Sequence, residues 1–232
     1  METISNKQLV IVSCTREKTF KGLIKRPLWK SLQKQYELNG DKINFHLSHN
    51  ADEKGLSAVY NQFLTEYKDQ YILFVHDDVE LTDIFLYDKI VNSPYVVTGL
   101  AGAKEFNKKA ENLAWHLAAP KESYVGEVKH AHAQSVWTTV FGPTKSRSLT
   151  LDGLFLAIDA EELNKKGVLF DEDFKFHFYD LAFCLRCNEN KVSCGVLPID
   201  VVHWGLGDSM NTTEWRESQT KFREKYCDDS SR

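Results

Sequence analysis

No stretch of about 18 apolar residues occurs anywhere in this 232-residue chain, so nothing in it reads as a bilayer span. The first residues, Met1 to Lys7, are polar and lack the apolar segment of a signal peptide. Cysteine is scarce and odd in number, at five. Without a secretory signal that points to a reducing compartment, and a cytoplasmic location is expected. Cys184 and Cys187 form a Cys-x-x-Cys with Cys194 soon after, but no second Cys or His pair stands at finger-like spacing. Packed thiols on a helix and the next strand are therefore expected rather than zinc. Positive charge is not in excess either: a formal net charge of −4 argues against broad electrostatic binding to nucleic acid. An anionic ligand would need local help from a metal or from oriented N–H groups. Repeats, low-complexity tracts and Pro/Ser-rich linkers are missing, so residues 1–232 are expected to form one domain. Hydrophobic and charged fractions of 42% and 27% are ordinary for a globular protein with a substantial core.

What is present is a run of short apolar segments separated by helical patterns. Leu9-Val10-Ile11-Val12 reads as a buried strand followed by the polar loop Ser13 to Lys18. Pro27 suits the first turn of a helix carrying Leu28, Leu32 and Tyr36 and ending at Asn39-Gly40. Ile43 to Leu47 alternates as a second strand, and Ser57 is placed to cap a helix with Tyr60, Phe63, Leu64 and Tyr67 on one face. Tyr71-Ile72-Leu73-Phe74-Val75 is the strongest strand signal, apolar enough to be buried on both faces of a parallel sheet. It delivers His76-Asp77-Asp78. Strand, helix, strand, helix, strand is the start of a doubly wound α/β sheet, in which ligands bind beyond the carboxyl ends of the strands.

Downstream the pattern loosens. Tyr95 to Thr98 reads as a strand, but Gly99 to Thr150 shows little periodicity and is expected to be an irregular, functional segment. Regularity returns with the strand Leu154 to Ile158. A short helix follows, with Asp159 as cap, Glu162 completing a capping box and Gly167 ending it. Phe183 to Asn188 reads as helix, and Val192 to Val202 as one strand interrupted by Pro198. Thr212 is placed to cap a last helix, Thr213 to Tyr226. The lysines and the arginine (Arg26) of Lys18 to Lys30 are interleaved with Phe20, Leu23, Ile24 and Leu28. Pro27 breaks any single helix there, so a solvated loop and helix start is expected, with a peripheral membrane role as the alternative.

Two adjacent carboxylates at a strand end repel unless a cation lies beside them, and Mg²⁺ sites commonly join one or two carboxylates to substrate phosphates. A metal–phosphate site is the first expectation from the triplet alone. Several further positions then fall in order. Ser57-Ala58-Val59-Tyr60-Asn61 precedes the triplet. Leu151-Asp152-Gly153-Leu154-Phe155-Leu156-Ala157 comes next, then Phe176-His177-Phe178-Tyr179-Asp180-Leu181-Ala182-Phe183-Cys184-Leu185-Arg186, and finally Val201-Val202-His203-Trp204-Gly205. From about Leu9 to Asp208 this order resembles GT-A glycosyltransferases of the family-2-like group. His-Asp-Asp stands where Asp-x-Asp is usual, as in a divergent glycosyltransferase-like branch. Ser48-His49-Asn50 stands where an Asp usually grips the nucleoside.

The resemblance implies a GT-A-like, doubly wound, mostly parallel central sheet flanked by helices, with an irregular acceptor-side segment. Residues from about 8 to 98 would form the nucleotide-sugar half, and 99–232 the acceptor and catalytic half. It implies a divalent cation, Mn²⁺ or Mg²⁺, held by Asp78 and His203 with Asp77 as helper. It also implies a nucleotide-sugar donor (UDP-sugar favoured) and a carbohydrate or glycan acceptor. Asp180 would be the base of an inverting transfer, its carboxylate kept ionised by a helix N-terminus. Thr15, Arg16 and Asn61, with Asp77, would reach the nucleotide. Asp152, Tyr179 and Trp137 would contact sugars, Trp137 being preferred over Trp115 and Trp204 as an aromatic platform. Two other readings remain open. One is a non-catalytic binding module that kept the sheet. The other is a sugar-nucleotide pyrophosphorylase, which Ser13-Cys14-Thr15-Arg16 disfavours because it lacks the glycines of a phosphate loop.

Overall fold

The structure is a computed structural model that describes residues 7–49, 54–205 and 212–228. Its first half runs β1 (Leu9–Thr15), α1 (Phe20–Leu23), α2 (Pro27–Asn39), β2 (Ile43–His49), α3 (Leu56–Glu66), β3 (Tyr71–Val75), β4 (Val79–Leu81), α4 (Leu86–Val91) and β5 (Val97–Gly99). The second half runs β6 (Ala101–Ala103), α5 (Trp115–Ala118), β7 (Tyr124–His132), β8 (Ser135–Val140), β9 (Ser146–Arg147), β10 (Thr150–Leu151) and β11 (Phe155–Asp159). It ends with α6 (Ala160–Lys165), α7 (Tyr179–Glu189), β12 (Cys194–Val196), β13 (Val201–His203) and α8 (Thr213–Phe222).

The expected doubly wound sheet is present, with seven strands in the order β2-β1-β3-β11-β5-β12-β9. The strands β2, β1 and β3 pair in parallel, and β5 and β12 pair in parallel with each other. Between β3 and β5 lies β11, antiparallel to both. This makes the sheet mixed but mostly parallel, with helices covering it. Val10, Ile11, Phe74 and Val75 are fully buried, which explains the unbroken apolar runs.

The segment expected to be irregular is not. Residues 99–151 supply β6, β7, β8 and β10 to a second, six-stranded sheet, ordered β10-β6-β7-β13-β4 with β8 on the flank of β7. Several of these strands are only two or three residues long. In β8 nearly every side chain is exposed, so no inside-outside alternation marks it. Val192 to Val202 is likewise two strands in different sheets, β12 in the first and β13 in the second, with Pro198 in the crossing. The helix expected to begin at Phe183 begins at Tyr179. Ser57 is not the cap of α3. Gly55 holds that position at φ 88°, and the Ser57 hydroxyl donates to the Phe174 carbonyl instead.

The remaining punctuation follows the sequence. Pro27 opens α2, Gly40 ends it at φ 53°, and Asp159 and Thr212 accept N–H bonds from Glu162 and Trp215 as N-caps. Cys184 and Cys187 on α7 and Cys194 on β12 are buried free thiols, packed as expected. Under the end of the sheet lies an aromatic stack that carries the start of α7. Tyr60 lies flat on Phe74 at 4.0 Å, Phe170 lies flat on Phe183 at 3.9 Å, and Tyr60 meets Tyr179 edge-on at 5.8 Å. Each such buried ring contributes about 2–3 kcal/mol by burial alone. Among the described residues no helix is long and apolar enough to cross a membrane.

Candidate active site

The triplet at the end of β3 is where the chain leaves one sheet for the other. His76 is tied to the first sheet by its N–H bond to the Leu154 carbonyl at 3.1 Å. Val79 opens β4 in the second sheet and stands opposite His203 of β13. Asp77 and Asp78 are the two central residues of a turn closed by the Val79 N–H on the His76 carbonyl at 3.2 Å, and their side chains diverge. Asp77 turns toward β1. One of its oxygens accepts from the Thr15 hydroxyl at 2.7 Å and the other from the Arg26 guanidinium at 2.6 Å. The cation that relieves the carboxylate pair is therefore Arg26, a residue the sequence reading left in a solvated basic run. Both Asp77 oxygens thus have protein partners, and the side chain anchors the α1–α2 loop. The Thr15 hydroxyl donates to Asp77 and accepts from the Glu17 N–H.

Asp78 turns toward β13. Its Oδ2 lies 3.6 Å from Nε2 of His203, beyond ordinary hydrogen-bond length. Its other oxygen, and Nδ1 of His203, are buried without a hydrogen-bond partner among the described residues. Buried polar atoms left unpaired are rare and mark a missing ligand or ion. Gly205 closes over the pair so tightly that a Cβ there would meet His203 Nε2 at 2.5 Å and Asp78 Oδ2 at 2.8 Å. Burial alone would raise the Asp78 pKa. His203, His76 and Arg26 outweigh it, so the carboxyl lies below its usual value and is ionised at neutral pH. His203 is lowered by burial but raised more by Asp78 and, more distantly, Asp152, for a net increase. A carboxylate and an imidazole with unspent donor atoms fit a divalent cation. Among the described residues no group of three His, Cys, Asp or Glu side chains is gathered closely enough to hold one. Oxygens of a bound diphosphate would have to complete the shell, as is usual for Mg²⁺.

Asp180 occupies the first turn of α7. Its oxygens accept from the N–H groups of Gly153 and Leu181, both at 2.9 Å. The N–H groups at the start of α7 favour the ionised carboxylate, as expected of a helix N-terminus. Burial, with the like charge of Asp152, overrides those N–H bonds and carries it up to about 7. The chain enters α7 through Phe178 in the left-handed region at φ 63°, a strained conformation for an aromatic residue and one that marks a constrained site.

Tyr179 was expected to touch sugar, but it is only 3% exposed. Its hydroxyl donates to the Gly153 carbonyl at 2.7 Å and pairs with Nε2 of His76 at 3.1 Å, so it braces the wall. Asp152 is fixed by the Trp115 indole N–H and the Leu154 N–H, both at 3.0 Å. A Cβ on Gly153 would run into the Tyr179 hydroxyl and come within 3.0 Å of Asp180 Cβ. Gly153→Ala is therefore expected to lower turnover about tenfold to a hundredfold by displacing Asp180, with ligand affinity unchanged. Steady-state kinetics beside a binding titration would check it.

His76, Asp78, Asp152, Tyr179, Asp180 and His203 all line one cleft of about 640 Å³. Its size falls within the roughly 300–1,000 Å³ of small-molecule sites. Trp115, His116, His130, Phe176, His177 and Gly205 line it too. The three histidines were not singled out in the sequence, because they sit in segments without readable periodicity. Burial lowers the pKa of each of them, and His203 adds to the effect at His130. Trp137 lies outside the cleft, its ring stacked on His130 at 5.4 Å. Arg16 reaches the rim, its guanidinium 5.4 Å above the Phe176 ring.

Asn61 does not face the cleft. It donates to the Phe170 carbonyl and to Glu172 and accepts from the Phe170 N–H, clamping the approach to α7. Asn61→Ala would strand the buried Phe170 groups. It is expected to cost about 2–3 kcal/mol of stability without weakening nucleotide binding, as read by denaturant melts and a titration. Asn50, the last of the three residues standing where a nucleoside-gripping Asp is usual, lies outside the described residues.

A family model described as "Glycosyltransferase like family" matches residues 32–226. Among solved structures, the chain is similar to one described as "Crystal Structure of A197 from STIV". The identity is 14%, 85% of this chain and 86% of that chain are covered, and the TM-score is 0.46. No curated protein matches the sequence significantly.

Proposed function

The chain belongs to the glycosyltransferase-like family, and from that premise we propose that it moves a sugar from a nucleoside-diphosphate sugar, with UDP as the first nucleotide to test, to an acceptor hydroxyl with inversion. The observation that carries this reading is the presence of two differently held carboxylates in one cleft. Asp78 is held ionised beside His203, while Asp180 is poised at about 7. Environments that push paired carboxylates apart in this way assign them different roles. Asp180 takes the proton of the attacking hydroxyl as its oxygen bonds to the anomeric carbon and the bond from that carbon to the diphosphate breaks. Asp78 and His203 would hold a divalent cation, Mn²⁺ or Mg²⁺, which when bound neutralises the leaving diphosphate as a Lewis acid.

Asp152, with both oxygens oriented, can bind sugar hydroxyls and also keeps the pKa of Asp180 high. Trp115, packed against Tyr124 and Phe141, fixes Asp152 in the cleft wall through its indole N–H. Arg16, at the rim, is placed to meet anionic oxygen. Thermal-shift measurements against a panel of nucleotide sugars, with and without Mn²⁺, test the reading. Stabilisation by one of them that requires the metal supports it, and no shift with any of them counts against it.

A further inference from the structure

Residues 16–34 carry seven basic side chains against one acidic one, in a chain whose net charge is −4. Among the described residues only Arg26 of this group is paired with a carboxylate. Lys18, Lys21 and Lys25 are exposed around the single turn of α1. Phe20 and Ile24, four residues apart and so on one face of that turn, are 69% and 37% exposed. The Phe20 ring stands on the edge of Trp29 at 5.7 Å, which in turn meets Phe45 of β2 at 6.3 Å. A large apolar ring is thus presented to solvent from a firm base, within a ring of lysines.

This surface borders the cleft. Arg26 and the Leu28 N–H hold the Asp77 side chain and carbonyl, next to Asp78. Arg16 lies over Phe176, which is itself 42% exposed at the cleft rim.

We propose that this face docks the protein on a bilayer bearing anionic headgroups, with Phe20 and Ile24 entering the headgroup–acyl boundary and Lys18, Lys21 and Lys25 lying among the headgroups. Exposed apolar tips ringed by cations match an anionic lipid surface, where insertion and charge attraction add. They match nucleic acid less well, since a net charge of −4 argues against broad electrostatic binding to it and an exposed aliphatic side chain such as Ile24 gives no platform for a base. Docked in this way, the cleft opens at the membrane surface and favours an acceptor carried there. That last point rests on the glycosyl-transfer reading; the docking does not.

Co-sedimentation of the whole protein with phosphatidylcholine vesicles containing about one third phosphatidylglycerol tests it. The expected result is binding to these vesicles but not to pure phosphatidylcholine, weakening as salt rises. Combining Lys18→Glu, Lys21→Glu and Lys25→Glu should reduce partitioning on the order of a hundredfold. Phe20→Ser with Ile24→Ser should reduce it about tenfold. All five side chains are exposed, and circular dichroism melts should be unchanged. The proposal is overturned by absence of binding to anionic vesicles at low salt, by triple-variant binding equal to wild type, or by tighter binding to a single-stranded oligonucleotide than to vesicles. Vesicle binding needs no turnover, so its failure and the failure of the transfer reading are separable.

Discussion

Asp180→Asn is expected to abolish sugar transfer, with a loss in kcat on the order of 10² to 10⁴, while nucleotide-sugar affinity stays at the wild-type value. The side chain lines the same cleft as Asp78 and His203 but is held by α7 and Gly153, apart from the pair proposed to hold the diphosphate. Its own partners are backbone N–H groups, which an amide oxygen can partly satisfy. The pH dependence separates a base from a structural carboxyl. Only the ionised form accepts a proton, and this carboxyl sits at about 7 because burial and the neighbouring Asp152 disfavour its charge. In the wild type, kcat/KM should therefore be flat above about 7 and fall tenfold per pH unit below it. That limb should vanish from any residual activity of Asp180→Asn. Asp152→Asn removes the like charge and should move the limb to lower pH, in addition to any loss of sugar affinity. Turnover by Asp180→Asn at the wild-type rate would remove Asp180 from the chemistry.

How the residues of this site could be read from sequence depends on what signal each carries. Asp78 follows the most apolar run in the chain, and a buried strand that ends in acid is visible without a structure. Asp180 and His203 become visible only through the order of motifs. They lie more than a hundred residues beyond Asp78, and no local pattern encodes the strand pairing that brings His203 to it or the packing of α7 that brings Asp180 to the same cleft. The pairing that matters is β13 on β4, three residues each, which places His203 opposite Val79. Strands that short have no periodicity to detect, so the second sheet was missed with His116 and His130. Asp77 carries a different signal. Sequence adjacency suggests that the two carboxylates share a cation, whereas the turn at Asp77-Asp78 sends their side chains apart, and Arg26 meets one of them. Asn61 and Tyr179 stood in the expected order, but their polar atoms are spent inside the fold. Order along the chain finds the elements around a site more reliably than it finds the atoms that face it.

Asp78→Ala should remove both binding and turnover, and in that it differs from Asp180→Asn. Among the described residues Asp78 and His203 line the cleft with buried polar atoms left unpaired, and their nearest approach, 3.6 Å, is too long for them to satisfy one another. Loss of the carboxylate leaves one imidazole, which cannot neutralise a leaving diphosphate. Several kcal/mol of transition-state stabilisation would go with it, a fall in kcat on the order of a thousandfold. Mn²⁺-dependent protection against thermal unfolding by nucleotide should disappear at the same time. Gly205→Ala offers an independent route to the same outcome without touching a donor atom. Its Cβ would occupy the space against His203 Nε2 and Asp78 Oδ2, and a group bound between those two side chains would be excluded. If both substitutions abolish the metal-dependent shift while the apo melting temperature holds, the pair is the metal site. Full nucleotide affinity in the presence of a chelator would show instead that the diphosphate is held without a cation. The assignment of Asp78 and His203 would then have to be given up, even with the base role of Asp180 intact.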